Sequence, residues 1–326
     1  MTSPPATAAI VQPDAPDAID AAARRLRDGK LVAFPTETVY GLGADATNDR
    51  AVAAIFDAKQ RPAFNPLICH FPSTDAVLRS MRLPDAALDL AKRFWPGSLS
   101  IVATRPVDCP ISRLASAGLD TVAVRVPDHQ VARRLLEATG RPIAAPSANL
   151  SGRLSPTRAT DVIASLGNVD LLILDGGACR VGLESTVVAV RPDGRIELLR
   201  EGGISREDLE HVSKQSVSPV SDPDEVRAPG MLARHYQPRI PLRIDATEAQ
   251  AGEIVIGFGP MSANMPKANL NLSPTGDLRE AAANLFAMLH DAETGGARAI
   301  AVTPIPDEGL GRAINDRLKR GASGTR

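Results

Sequence analysis

The stretch DTVAVRVP, residues 120–127, decides the fold. Its period of two sets Val122, Val124 and Val126 on one face and Thr121, Ala123 and Arg125 on the other, the pattern of a strand. A helix follows from Asp128 to Thr139 and stops at Gly140, and RPIAAPS (141–147) is strand-like again. The same alternation extends outward. Towards the N-terminus, Asp17 reads as the N-cap of AIDAAARRLRDG and Gly29 as its stop signal, LVAFP (31–35) as a buried strand, and TETVYGLGADATN as a loop with two glycines. Asn48 or Asp49 caps AVAAIFDAKQ, which Pro62 ends. PLICHF (66–71) and SLSIVAT (98–104) read as strands, with helices over 74–81 and 84–94 between them. Towards the C-terminus, a Ser/Gly/Pro-rich loop runs to residue 157, then DLLILD (170–175), STVVAV (185–190) and RIELLR (195–200) read as strands and 205–213 as a helix. Strands and helices interleave, so the class is α/β.

The chain has 326 residues, which suggests about two domains. Residues 1–16 are read as a flexible lead-in and 17–212 as the larger domain. The stretch 211–241 holds five prolines and little apolar periodicity, so 213–240 is read as a linker. A smaller α/β unit occupies 241–326, with strands near 241–245, 253–258 and 298–303 and helices near 277–291 and 308–320.

Net charge is -1 and aromatics are 3%, which argues against a whole-chain basic footprint or a base-stacking platform for nucleic acid. A local basic groove is not excluded by these numbers. Cys69, Cys109 and Cys179 offer no disulfide framework and read as buried hydrophobes of a reducing compartment. The N-terminus lacks a signal-peptide pattern and no run of about 18 apolar residues occurs, so the expected location is the cytoplasm. There is no GxxxxGK[ST], GxSxG or HExxH, and Gly41-Leu42-Gly43 and Gly257-Phe258-Gly259 do not complete GxGxxG. The histidines lack ligand spacing for zinc.

Four polar clusters at strand ends carry the chemistry. In an α/β sheet, ligands sit outside the carboxyl ends of strands. The first, Thr36-Glu37-Thr38-Val39-Tyr40-Gly41-Leu42-Gly43, suits a small polar ligand or an ordinary strand–loop–helix joint. In the second, Pro62 biases Arg61 to extended geometry, so that Lys59 and Arg61 can converge on one anion. The alternative is a cationic helix end facing the macrodipole and water. His70, close by, reads equally as core or as ligand contact. In the third, Thr121 and Arg125 share a strand face about 13 Å apart, as for opposite ends of one pocket, and a buried arginine there needs a partner. The fourth, Ser147, Asn149, Ser151 and Ser155, can bind phosphate oxygens or a magnesium shell, or form a plain turn.

In this order the clusters resemble the YrdC-domain family, and within it the two-domain threonylcarbamoyl-AMP synthases. The matching segments are FPTETVYGLG (34–43), KQRPAFNPL (59–67) with His70, TVAVRVP (121–127), APSANLSG (145–152) with SPT (155–157), GLESTVV (182–188), LLREGGIS (198–205) and PGM…RHYQP (229–238). The resemblance implies a twisted, mixed, open sheet around a large concave basic cavity, with a small Rossmann-like C-terminal domain. It implies that L-threonine, bicarbonate and ATP give threonylcarbamoyl-AMP and pyrophosphate. A tRNA-modifying threonylcarbamoyl-transferase complex would take the product, without stable direct tRNA binding by this chain. Mg2+ would arrive with ATP rather than at an all-protein site. The resemblance assigns Thr38, His70, Arg125, Ser185 and the backbone near Ala145 to L-threonine. To ATP it assigns Arg61, Asn65, Thr121, Ser147, Asn149, Ser155, Arg200 and, from the linker, Tyr236. Lys59 and Arg61 are the expected catalytic cations. The family's linker usually reads SPGMKYxHY; here Leu232-Ala233 stand where its Lys-Tyr pair would. A non-catalytic RNA-binding module using the basic concave face is the competing reading.

Overall fold

A computed structural model describes residues 7–220, 235–260 and 270–323. The larger unit holds β1 (Ala9–Val11), α1 (Ala18–Arg27), β2 (Leu31–Phe34), β3 (Gly41–Asp45), α2 (Asp49–Lys59) and β4 (Ile68–His70). Then come α3 (Thr74–Ser80), α4 (Asp85–Phe94), β5 (Leu99–Thr104), β6 (Thr121–Arg125), α5 (Gln130–Thr139) and β7 (Ile143–Ala144). It closes with α6 (Ala159–Leu166), β8 (Leu171–Leu174), β9 (Thr186–Val190), β10 (Ile196–Arg200), α7 (Arg206–Ser213) and β11 (Ser218–Pro219).

These strands form one mixed sheet in the order β1-β8-β2-β3-β7-β4-β6-β5-β9-β10-β11. Val122, Val124 and Val126 of the decisive stretch join the main apolar core, as the period of two requires. The other face carries His70 and Arg125, which are direct cross-strand partners on the parallel pair β4–β6. A second apolar layer, in which α1 and α5 cover Val32, Phe34 and Ile143, packs the opposite side of the N-terminal half. The helices have readable ends. Asn48 accepts from the amides of Arg50 and Ala51, Ser205 from that of Asp208, and Gly140 takes the left-handed conformation that ends α5.

Three readings need correction. TETVYGLGADATN is not all loop, because Gly41–Asp45 is β3, antiparallel to β2. A Cβ on Gly43 would lie 2.8 Å from Phe34 and 2.9 Å from Ile143, so this strand needs the glycines that make it read as a loop. Asp17 stands at the N-cap of α1 but is left-handed and makes no side-chain cap bond. Within the lead-in, Ala9–Val11 pairs with Leu172–Leu174. Helix α6 and the two-residue strand at 270–271 add to the expected elements.

The smaller unit is a four-stranded parallel sheet of β12 (Leu242–Arg243), β13 (Glu253–Gly257), β14 (Leu270–Asn271) and β15 (Ala299–Val302), in the order β12-β15-β13-β14. Helices α8 (Leu278–Thr294) and α9 (Leu310–Ala322) accompany it. Its core includes Val39, Leu154 and Leu183 of the larger unit and Tyr236 at the end of the connecting segment. Of the expected linker motif, Pro229-Gly230-Met231 and Leu232-Ala233-Arg234 lie outside the described residues.

Candidate active site

A cavity opens on the sheet face that bears His70 and Arg125. The strand pair β4–β6 supplies its floor with Ile68, His70 and Arg125. The loop after β2 adds Thr36, Thr38 and Val39, and the segment after β7 adds Ala145, Pro146 and Ser147. Glu184 and Ser185 precede β9, Arg200 ends β10, and Arg61 follows α2. His235 and Tyr236 complete the lining.

Arg125 is the best-anchored of these groups. It donates from Nε to the Gly97 carbonyl at 3.1 Å and from Nη1 to Thr38 Oγ1 at 2.9 Å, and its Nη2 is paired with Glu37. Glu37 is itself fully buried and accepts from the Asp128 amide. A buried ion pair is tolerated when further hydrogen bonds satisfy both partners, and these do. Thr38 is held in turn by Thr36, whose hydroxyl lies 2.8 Å away.

Arg61 donates to the carbonyls of Asn65 and Pro66. Burial, then the Arg200 guanidinium, pulls it down to about 9. Arg200 donates to the Ser185 carbonyl and hydroxyl, and burial lowers it as well. Two guanidiniums whose charge is disfavoured by burial make a place that favours an anion. The histidines do not supply that charge. Burial, then Arg125, pushes His70 down to about 3, and burial, then Arg61, pushes His235 well below its ordinary value. Both rings are neutral at pH 7. Burial opposes charge on Glu184, but Arg317, Arg200 and Ser155 outweigh it and hold its carboxyl below the usual range.

Nine of the residues expected from the sequence line this cavity: Thr38, Arg61, His70, Arg125, Ala145, Ser147, Ser185, Arg200 and Tyr236. Five do not. Lys59 is turned onto the Ser147 and Asn149 carbonyls and does not line the cavity beside Arg61, although both cations lie close enough to His235 to depress it. The reason is local: Gln60 is left-handed and ends α2 before the proline acts. Asn149 fixes its own loop by donating to Leu150 and Arg153, and Ser155 donates to Glu184. Thr121 lies at the far end of β6, opposite Thr104. Asn65 is fully buried with both side-chain amide atoms unpartnered, which leaves them available to a ligand close to Arg61. Sequence reasoning placed Thr36 and Glu37 in the first polar cluster without a role for either, and missed Glu184 and His235, which stand inside GLESTVV and RHYQP. A carboxylate in a site read as anion-binding has no signal of its own until its cationic partner is known.

Among the described residues, no three His, Cys, Asp or Glu side chains cluster as metal ligands. Glu184, the carboxylate in the cavity wall, is committed to Ser155 and Arg317. Neutral oxygens in the cavity wall, the Ser147 hydroxyl among them, are donors of the kind a magnesium ion would accept.

Residues 24–202 match the family described as Telomere recombination, whose model is that of the Sua5, YciO and YrdC proteins. Residues 204–323 match the family described as Threonylcarbamoyl-AMP synthase, C-terminal domain. The chain belongs to the Sua5/YrdC family. It is 40% identical over 322 residues to a threonylcarbamoyl-AMP synthase of Pyrococcus abyssi, covering 94% of both chains. It is 40% identical over 332 residues to the Bacillus subtilis protein of the same name, covering 93% of this chain and 92% of that one. A crystal structure of Pyrococcus abyssi Sua5 complexed with L-threonine superposes with a TM-score of 0.83 at 39% identity, over 94% of each chain. E. coli YciO shares the fold of the larger unit, with a TM-score of 0.52 at 24% identity over 60% of this chain. No helix among the described residues is long and apolar enough to cross a membrane.

Proposed function

We propose that this chain condenses L-threonine, bicarbonate and ATP into threonylcarbamoyl-AMP and releases pyrophosphate. The observation that carries the reading is one cavity holding two kinds of cationic site. Arg125 is locked in place by Glu37, Thr38 and Gly97, whereas Arg61 and Arg200 are buried where an anion is wanted. The match over more than nine-tenths of both chains to family members named for this reaction supports it.

In this reading the Arg125 guanidinium takes the threonine carboxylate, with Thr38 and Ser185 beside it. That leaves the amine free to become a carbamate with carbon dioxide. Neutral His70 adds no charge to repel the amine or compete for the carboxylate. The carbamate oxygen attacks the α-phosphorus and pyrophosphate leaves. Such transfer needs positioning and charge neutralisation more than a covalent nucleophile. Arg61 and Arg200 meet the phosphate charge directly, with the orphaned amide of Asn65 and the Ser147 hydroxyl next to them. Lys59 contributes by holding the Ser147–Asn149 loop at the phosphate end. Magnesium bound with ATP would offset further charge, with the Ser147 hydroxyl a neutral oxygen donor in the cavity wall. Tyr236, at the end of the connecting segment, closes the nucleotide side. The product goes to a tRNA-modifying threonylcarbamoyl-transferase complex in the cytoplasm, and the chain itself holds no tRNA stably.

A pyrophosphate-release assay tests the reading. Release is expected only with ATP, threonine and bicarbonate together. Release that persists when threonine or bicarbonate is omitted would refute it.

A further inference from the structure

Helix α9 of the smaller unit places one side chain behind the cavity wall, against Glu184 and Tyr236. Arg317 is 1% exposed, the largest fully buried side chain among the described residues. Its Nε donates to Glu184 Oε2 at 3.0 Å, and its Nη2 donates to the Glu201 carbonyl at 2.7 Å. Its guanidinium carbon sits 5.0 Å from the centre of the Tyr236 ring. Asp316 pairs with its Nη1 but is shared with Arg320. One turn further along the same helix face, Gly321 meets the Tyr236 backbone, where an added Cβ would lie 2.8 Å from the carbonyl oxygen. Tyr236 has a φ of 62°, a strained value for a residue with a side chain, and its buried hydroxyl has no partner.

Both residues that Arg317 holds line the cavity, and Arg317 itself does not. Glu184 matters most for charge. An uncompensated carboxylate in this wall would repel a triphosphate across a poorly screened interior. We infer that Arg317 is a positioning residue of the active site: by neutralising Glu184 and fixing Tyr236, it lets the smaller unit set the affinity of the cavity for ATP. The inference rests on the proposed reaction only in naming ATP as the anion.

The test uses the full chain and three variants: Arg317→Met, Arg317→Lys, and Arg317→Met combined with Glu184→Gln. Calorimetry reads the Kd for ATP and for L-threonine. In Arg317→Met, ATP binding should weaken about tenfold while threonine binding stays within about twofold. Adding Glu184→Gln should bring ATP affinity back to within about threefold of wild type, because the coupled pair is removed together. A role in stability alone predicts no such rescue. Unchanged ATP affinity in Arg317→Met overturns the inference, as does a double variant no tighter than the single one. If Arg317→Met does not fold, Arg317→Lys carries the test. Affinity within about threefold of wild type then supports charge compensation, and a tenfold loss refutes it. A wild-type chain that binds no ATP overturns both this inference and the proposed reaction. One that binds ATP but releases no pyrophosphate refutes the reaction alone.

Discussion

The Ser147 carbonyl accepts the Lys59 ammonium at 2.5 Å, and the Ser151 amide returns a bond to the Lys59 carbonyl at 2.9 Å. The last residue of α2 is thus stitched to two points, Ser147 and Ser151, of the segment after β7. Burial, then Arg61, lowers the Lys59 ammonium well below its ordinary value, so its carbonyl partners hold it at a cost. Lys59→Ala would leave the buried Asn149 carbonyl without its donor, at about 1–3 kcal/mol, while the Ser147 carbonyl keeps the Asn149 amide. Urea unfolding should show that loss, and turnover should fall with it. A variant that loses turnover at full stability would return Lys59 to a direct role on the phosphates.

Arg125→Ala is expected to weaken threonine binding while ATP affinity changes far less. It also strands buried Glu37, so stability should fall by about 3–5 kcal/mol. Arg125→Ala combined with Glu37→Gln should recover much of that stability without recovering threonine affinity. Calorimetry and denaturant melts separate the two. Unchanged threonine affinity in a folded variant would sink the assignment.

Tyr236→Phe removes a hydroxyl with no partner in the described structure. Unliganded stability should therefore stay within about 0.5 kcal/mol of wild type. If that hydroxyl serves the nucleotide, ATP affinity drops about tenfold, in line with one lost hydrogen bond to a charged group. A variant with native ATP affinity would make Tyr236 an inter-domain brace only, packed on Phe286 and Arg317.

Acid should destabilise the fold through His70 and His235. Burial depresses both, so between an unfolded value near 6.5 and the folded value of about 3 for His70 the unfolded chain binds the extra proton. Their contribution is complete above about pH 6.5 and declines as pH falls, by up to about 1.4 kcal/mol per pH unit for each ring. His70→Gln should flatten that slope by about one proton. Parallel slopes for wild type and variant, from urea melts at several pH values, would contradict it.

The legible part of this molecule was whatever repeats. The valine alternation of 120–127, the stop at Gly140 and the cap at Asn48 all came through, since each is a local rule. The β3 strand did not, because Gly41 and Gly43 serve close packing that no period reports. Arg125 was recognisable as a buried cation in need of a partner, yet Glu37 was not recognisable as that partner. The two are far apart in the chain and meet only when the loop after β2 crosses the end of β6. Lys59 and Arg61 look like one pair in sequence, and a left-handed Gln60 separates them, a conformation its residue type does not advertise.

Strand β1 has a consequence for handling the protein. It is three residues long and covers the flank of β8, whose Leu171-Leu172-Ile173-Leu174 is wholly aliphatic. At the other edge the last strand is only Ser218–Pro219, a pairing surface cut short by proline. The sheet thus ends in two blunt margins, and the N-terminal one depends on a segment that looks dispensable. Trimming the chain to Asp17 would spare every cavity residue and still bare an aliphatic strand that can recruit another copy. Such a truncated preparation should precipitate or self-associate while its remaining monomers keep their ligand affinity.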